Sequence, residues 1–183
     1  GEISPKMLLT SGCQYVIIGH SERRTFFQEN DDMVNFKLKE SLKEGLIPIA
    51  CIGETWQERE TGKAEEIIEK QLKGALKGIN AEDVEKVVIA YEPVWAIGTG
   101  KNATPKQANE IHSFIREKLS TLYNKETAQK MYILYGGSVT PENADDLIEM
   151  HEINGFLVGG ASLDPEAFEK VVKSSIMQKS TVK

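Results

Sequence analysis

The sequence predicts an α/β fold in which parallel strands and crossover helices form a (β/α) barrel. Three observations predict it. Five short apolar runs alternate with longer amphipathic stretches. The runs are apolar throughout, as in strands buried on both faces. Each run ends in glycine or a polar residue. An open doubly wound sheet gathers its ligand residues at one switch point, and here they end every strand. The spaced-glycine dinucleotide fingerprint and the P-loop pattern are both absent. A barrel, whose strand ends all face one mouth, accounts for that distribution.

The elements follow in order. The opening Ser4-Pro5 caps and starts a helix that Gly12 can end. The first strand is Tyr15 to Gly19, closed by His20, and Ser21-Glu22-Arg23-Arg24 begins a helix. Residues 31–44 form the next helix, with Met33, Phe36, Leu38 and Leu42 as its apolar positions. The second strand is Leu46 to Ile52, closed by Gly53-Glu54. A helix over residues 63–77 follows. The third strand is Val87 to Tyr91, closed by Glu92. Thr104-Pro105 starts a helix over residues 105–121, with Ala108, Ile111, Ile115 and Leu119 at helical spacing. The fourth strand is Met131 to Tyr135, ending in Gly136-Gly137-Ser138. Thr140-Pro141 opens a helix over 141–150. The fifth strand is Gly155 to Val158, ending in Gly159-Gly160, and Asp164-Pro165 opens the last helix over 165–175. No linker divides the chain, so residues 1–183 read as one domain with a frayed tail from about residue 175.

Composition narrows the function. The 183 residues are 40% hydrophobic and 27% charged, enough for a real core. A net charge of −6 argues against nucleic acid as a partner. No apolar run approaches the ~20 residues of a membrane helix, and no signal-peptide pattern appears, so a cytoplasmic protein is expected. Cys13 and Cys51 sit in apolar runs and read as reduced thiols, and no Cys or His pair suggests a metal. His112 and His151 read as surface residues.

The chemistry should sit at the strand ends. Glu92 is delivered alone to the end of an apolar strand. The segment that follows is pinned by Pro93, anchored by Trp95 and ended by Gly98 and Gly100, as befits a base beneath a lid. The plain alternative is a solvated strand-end acid. His20, at a helix start, is disfavoured as the cation and can donate a hydrogen bond to a carbonyl; it can equally be satisfied by backbone groups. The glycine turns at 136–138 and 159–160 let backbone N–H groups approach a phosphate, or simply turn tightly. Trp95 by itself reads as packing.

Five strings carry a resemblance: Ile17-Ile18-Gly19-His20-Ser21-Glu22-Arg23-Arg24, Cys51-Ile52-Gly53-Glu54, Ala90 through Gly100, Tyr135-Gly136-Gly137-Ser138-Val139, and Gly155 through Leu163. Together and in this order they resemble the triosephosphate isomerase family, over about Gly1 to Ser174. The resemblance implies a (β/α)8 TIM barrel, a dihydroxyacetone phosphate–glyceraldehyde 3-phosphate isomerase of glycolysis and gluconeogenesis, no cofactor and no metal, and a homodimer. It makes Glu92 the base, His20 the neutral electrophile and Glu22 a supporting carboxylate. Gly98, Ser138, Gly159 and Gly160 become the phosphate cradle. Pro93, Trp95 and Thr99 belong to the lid, Tyr135 and Ser138 hold it closed, and Glu54 is the partner of Trp95. The family is itself a standing example of tuned acid–base groups beneath a closing loop. Other phosphate-binding barrels, such as aldolases or a tryptophan-pathway isomerase, share the glycine turns and lack the lid string.

The chain also departs from the family. Such barrels have eight strands and about 250 residues. The five strands here correspond to strands 4 to 8, making a partial barrel. The family's first strand carries an Asn and a catalytic Lys that have no counterpart in this sequence. The expectation is a fragment of a longer isomerase, impaired in isolation, with a non-catalytic half-barrel scaffold as the alternative.

Overall fold

A computed structural model describes residues 2–96 and 103–179. Five strands, β1 (Tyr15–Ile18), β2 (Ile47–Ile52), β3 (Val88–Tyr91), β4 (Ile133–Tyr135) and β5 (Gly155–Phe156), form one sheet in sequential order. Every neighbouring pair is parallel, in registers such as Ile17 with Ile49 and Tyr91 with Tyr135. Parallel neighbours need crossovers. These are α2 (Ser21–Phe27) and α3 (Asp31–Glu44), then α4 (Trp56–Glu60), α5 (Ala64–Leu76) and α6 (Ala81–Val84). The later crossovers are α7 (Pro105–Leu122) with α8 (Lys125–Lys130), and α9 (Ala144–Ile148). Helices α1 (Pro5–Thr10) and α10 (Pro165–Lys179) flank the sheet.

Side-chain caps start the helices where the sequence offers them. Ser4 accepts from Met7 N ahead of Pro5, Thr104 and Gln107 form a reciprocal box ahead of Pro105, and Asp164 accepts from Ala167 N. Thr140-Pro141 does not follow that pattern. The expected helix over 141–150 begins only at Ala144, because Asn143 is spent on the turn. Its Oδ1 accepts from Thr140 N at 2.8 Å and its Nδ2 donates to Ser138 O at 2.9 Å. Strand β5 is also shorter than expected. It stands at the end of the sheet order and pairs with β4 alone, which itself ends at Tyr135.

The core lies between the sheet and one stripe of each long helix. Val34, Leu38, Ile68, Leu72, Ile115 and Leu119 pack against Ala50, Ile52, Ile89 and Ile133. On α3 the buried stripe is Val34, Leu38 and Ser41, whereas the expected Met33 and Phe36 are exposed. His112 corrects a second expectation. It is fully buried, because it continues the Ala108–Ile115–Leu119 stripe of α7. Its Nδ1 lies 3.2 Å from Glu152 O, and its ring meets Tyr91 edge-on. His151, on the loop before β5, is exposed as expected.

Burial lowers the His112 pKa to about 4. The folded protein therefore resists protonating a group that the unfolded chain protonates near pH 6.5. This contribution to stability is complete above pH 6.5 and is lost as pH falls toward 4. Between pH 7.5 and 4.5 the wild type should lose about 2–3 kcal/mol more than His112→Gln. Urea midpoints at the two pH values check this.

The sheet leaves a free edge at β1. Tyr15 and Ile17 are 54% and 48% exposed there. Beside them a cleft of about 630 Å³ is lined by Ile3, Leu8, Ile17, Phe36 and Glu29, among others. Among the described residues, no helix is long and apolar enough to cross a membrane.

Candidate active site

The ends of β1, β2 and β3 meet at Glu92. Its backbone is fixed by Glu92 N donating to Ile52 O at 2.8 Å and by Val94 N donating to Glu54 O at 3.1 Å. The side chain is 2% exposed. It reaches across to the turn after β1, where His20 Nε2 stands 2.9 Å from Oε1. Ser21 holds the same carboxylate twice, its N–H on Oε2 at 3.1 Å and its hydroxyl on Oε1 at 3.2 Å. Residues distant in the chain thus converge on one carboxylate.

His20 is also the N-cap of α2, and its Nδ1 accepts from Glu22 N at 3.3 Å. An Nδ1 that accepts carries no proton, so in the neutral ring Nε2 bears the hydrogen and donates to Glu92. Two influences oppose one another on this ring. The hydrogen bond to Glu92 raises its pKa and burial lowers it, with a net rise. The sequence expectation of a disfavoured cation is not what these contacts produce, because the Glu92 carboxylate favours the cation and outweighs burial. Glu22 is exposed, and its backbone N–H supplies its contact with His20.

Close packing leaves little freedom around Glu92. A Cβ on Gly53 would lie 1.7 Å from Glu92 O, and one on Gly136 would lie 3.1 Å from Glu92 Cγ. The fully buried Cys51 thiol lies beside the same carboxylate. Burial first, and the negative charge of Glu92 second, push its pKa well up, so it stays a neutral thiol.

A second buried carboxylate organises the segment after Glu92. Glu54 is fully buried, and its Oε1 accepts from Trp95 Nε1 at 2.9 Å, Tyr91 hydroxyl at 3.1 Å and Arg59 Nη1 at 2.9 Å. Trp95 lies in a short 3-10 turn, Val94–Ala96, directly after Pro93. The expected Glu54–Trp95 pairing is therefore present. Tyr135 is fully buried, and burial raises its hydroxyl pKa to about 12. That hydroxyl fills the place a Cβ on Gly137 would take, 2.2 Å away, with Pro93 on the other side.

Ser138 is half-buried at the end of β4. Gly159 and Gly160 are exposed after β5, where a 3-10 turn (Gly160–Leu163) begins. Among the described residues, a Cβ on either glycine would meet no atom within 4 Å apart from its own chain neighbours. Gly98 and Thr99 lie outside the described residues.

Sequence reasoning missed four neighbours. Ser21 had been read only as a helix start, although a hydroxyl next to a strand-end histidine is placed to hold an acid. Tyr91 and Cys51 read as strand interior, and Arg59 carried no reading of its own.

Comparison with known proteins shows the family. The model of the family described as triosephosphate isomerase matches residues 1–175. The chain belongs to the triosephosphate isomerase family. It is similar to the triosephosphate isomerase of Dictyoglomus thermophilum, with 55% identity over 174 residues, covering 95% of this chain and 70% of that protein. The enzyme of Chloroherpeton thalassium is 53% identical over 175 residues, 96% of this chain and 69% of the relative. That of Fusobacterium nucleatum is 52% identical over 174 residues, at 95% and 69%. These relatives are triosephosphate isomerases, the family is one of isomerases acting on triose phosphates, and the parallel five-stranded sheet of this chain is consistent with a partial TIM barrel.

Proposed function

We propose that Glu92 and His20 perform the family's proton transfer on one triose phosphate, interconverting dihydroxyacetone phosphate and glyceraldehyde 3-phosphate through an enediolate. The observation that carries this reading is the 2.9 Å contact between His20 Nε2 and Glu92 Oε1, two groups delivered by separate strand ends. The Nε2–H that now donates to Glu92 is the donor a substrate carbonyl oxygen would take. Substrate entry exchanges one acceptor for the other and frees the carboxylate from His20. Glu92 then removes a proton from the carbon beside the carbonyl while His20 stabilises the developing oxyanion; the hydroxyl proton passes to the former carbonyl oxygen, and the carbon-bound proton returns to the neighbouring carbon. Glu22 supports the histidine through the α2 start.

The phosphate cradle is assigned to backbone N–H groups of Ser138, Gly159 and Gly160, with Gly98 beyond the described residues. The open space over the two glycines supports that assignment. Pro93 and Trp95, tied to Glu54, form the start of the lid, with Thr99 within it and Tyr135 and Ser138 as its partners. Water exclusion there would protect the enediolate.

In the same reading the five strands are strands 4 to 8 of an eight-stranded barrel, residues 1–183 being one partial-barrel domain of a cytoplasmic, homodimeric enzyme. The free β1 edge and its apolar cleft support this, because a barrel leaves no such edge. They equally favour the second reading, a half-barrel that assembles through that edge without catalysis. A coupled triose phosphate assay separates the two. The chain with a polypeptide matching the relatives' N-terminal part should exceed the chain alone by about 10²-fold or more, since the missing lysine is worth ~3–4 kcal/mol of barrier. A folded complex without turnover would favour the scaffold.

A further inference from the structure

We propose that Arg59 is a positioning residue, whose guanidinium binds the Glu54 carboxylate and the Trp95 indole into one unit and so sets the placement of the turn that carries Glu92. Glu54 is fully buried, and three donors share its Oε1, while Oε2 has no hydrogen-bond partner among the described residues. Two of those donors, Tyr91 and Trp95, are neutral. A buried carboxylate held by neutral donors alone is costly, and among the described residues the cation in contact with it is Arg59.

Arg59 touches both members of the pair. Its Nη1 is 2.9 Å from Glu54 Oε1, and its guanidinium carbon lies 4.9 Å from the centre of the Trp95 ring. A planar, delocalised cation can do both at once, whereas a lysine ammonium is a point charge suited to the ion pair alone. Local sequence explains the reach. Thr55 and Glu58 form a capping box that starts α4 directly after Glu54, and Arg59 N donates to Thr55 O at 3.0 Å. The first turn of α4 thereby brings Arg59 back over the residue that precedes it.

The β2 end then grips the segment after β3 at successive points. Ile52 O takes Glu92 N, Glu54 O takes Val94 N, and Glu54 Oε1 takes Trp95 Nε1. Arg59 secures the last of these. Its consequence for turnover rests on Glu92 being the base, but its structural claim does not.

The test uses the two tryptophans of the chain. In a Trp56→Phe background the remaining indole is Trp95, and the aromatic neighbour 5.9 Å away is kept. Acrylamide quenching and the emission maximum are measured for that parent, for Arg59→Met and for Arg59→Lys, with far-UV circular dichroism to confirm folding. Arg59→Met should raise the quenching constant about twofold or more, with Arg59→Lys in between. If Arg59→Met fails to fold, Arg59→Lys is read by the same rule. Parent-like quenching and emission in every folded Arg59 variant would overturn the proposal while leaving the role of Glu92 intact.

Discussion

Glu92→Gln should lower kcat of the reconstituted barrel by about 10²–10⁴-fold, the range for losing a positioned general base. The chain completed by the relatives' N-terminal part is the form to assay. The substitution is nearly isosteric, so the fold should persist. A glutamine carbonyl still accepts from His20 Nε2 and the Ser21 hydroxyl, while its amide cannot accept the Ser21 N–H that Oε2 takes now. The cost in stability is one buried hydrogen bond, about 1 kcal/mol. KM should change little, because the phosphate is held elsewhere. A second signature follows from the charge. The Glu92 hydrogen bond is the leading cause of the raised His20 pKa, so the His20 titration should move down in the variant. NMR of the imidazole reads that shift without any turnover.

Gly53→Ala should cost about 3 kcal/mol or more of stability, the upper part of the range for overpacking. The new methyl would stand 1.7 Å from Glu92 O and 2.7 Å from Glu92 C. Both are backbone atoms, so no side chain can turn aside to make room. The strand ends cannot easily separate either, because Glu92 N is bonded to Ile52 O and Gln71 clamps Gly53 through both its N–H and its C=O. If the β2 and β3 ends do part, Glu92 leaves its contacts with His20 and Ser21. Activity then falls together with stability. Urea unfolding midpoints and the coupled assay measure the two losses side by side.

These effects share one cause, and it decides what could be read in the sequence. Strand ends were legible because apolar runs stop abruptly at His20, Glu54 and Glu92, and a barrel brings such ends together. Partners of those ends were harder to see. Ser21 is an ordinary helix-start serine until the fold sets it against Glu92, 71 residues away. Arg59 belongs to a charged stretch, Gln57-Glu58-Arg59-Glu60, and only the turn of α4 selects it from its neighbours. His112 was misread because its polarity outweighed its position, although its spacing from Ala108 and Leu119 puts it on the buried stripe. The turn at Thr140 was misread for a related reason. A threonine before proline is a good cap, but Asn143 offers both an acceptor and a donor and closes the turn first. In both places one local cue was outweighed by another, the helix-face position at His112 and the Asn143 turn bonds at Thr140.

The central claim is that Glu92 moves a substrate proton while His20 steadies the oxyanion. Deuterium exchange tests it most directly, because exchange reports proton removal even when later steps are slow. The reconstituted barrel is incubated with dihydroxyacetone phosphate in D2O, and incorporation at the carbon beside the carbonyl is followed by proton NMR. Exchange should be enzyme-dependent, should fall about 10²-fold or more in Glu92→Gln, and should fall less steeply in Ser21→Ala, where the acid is intact. Exchange that proceeds equally well in Glu92→Gln would contradict the account.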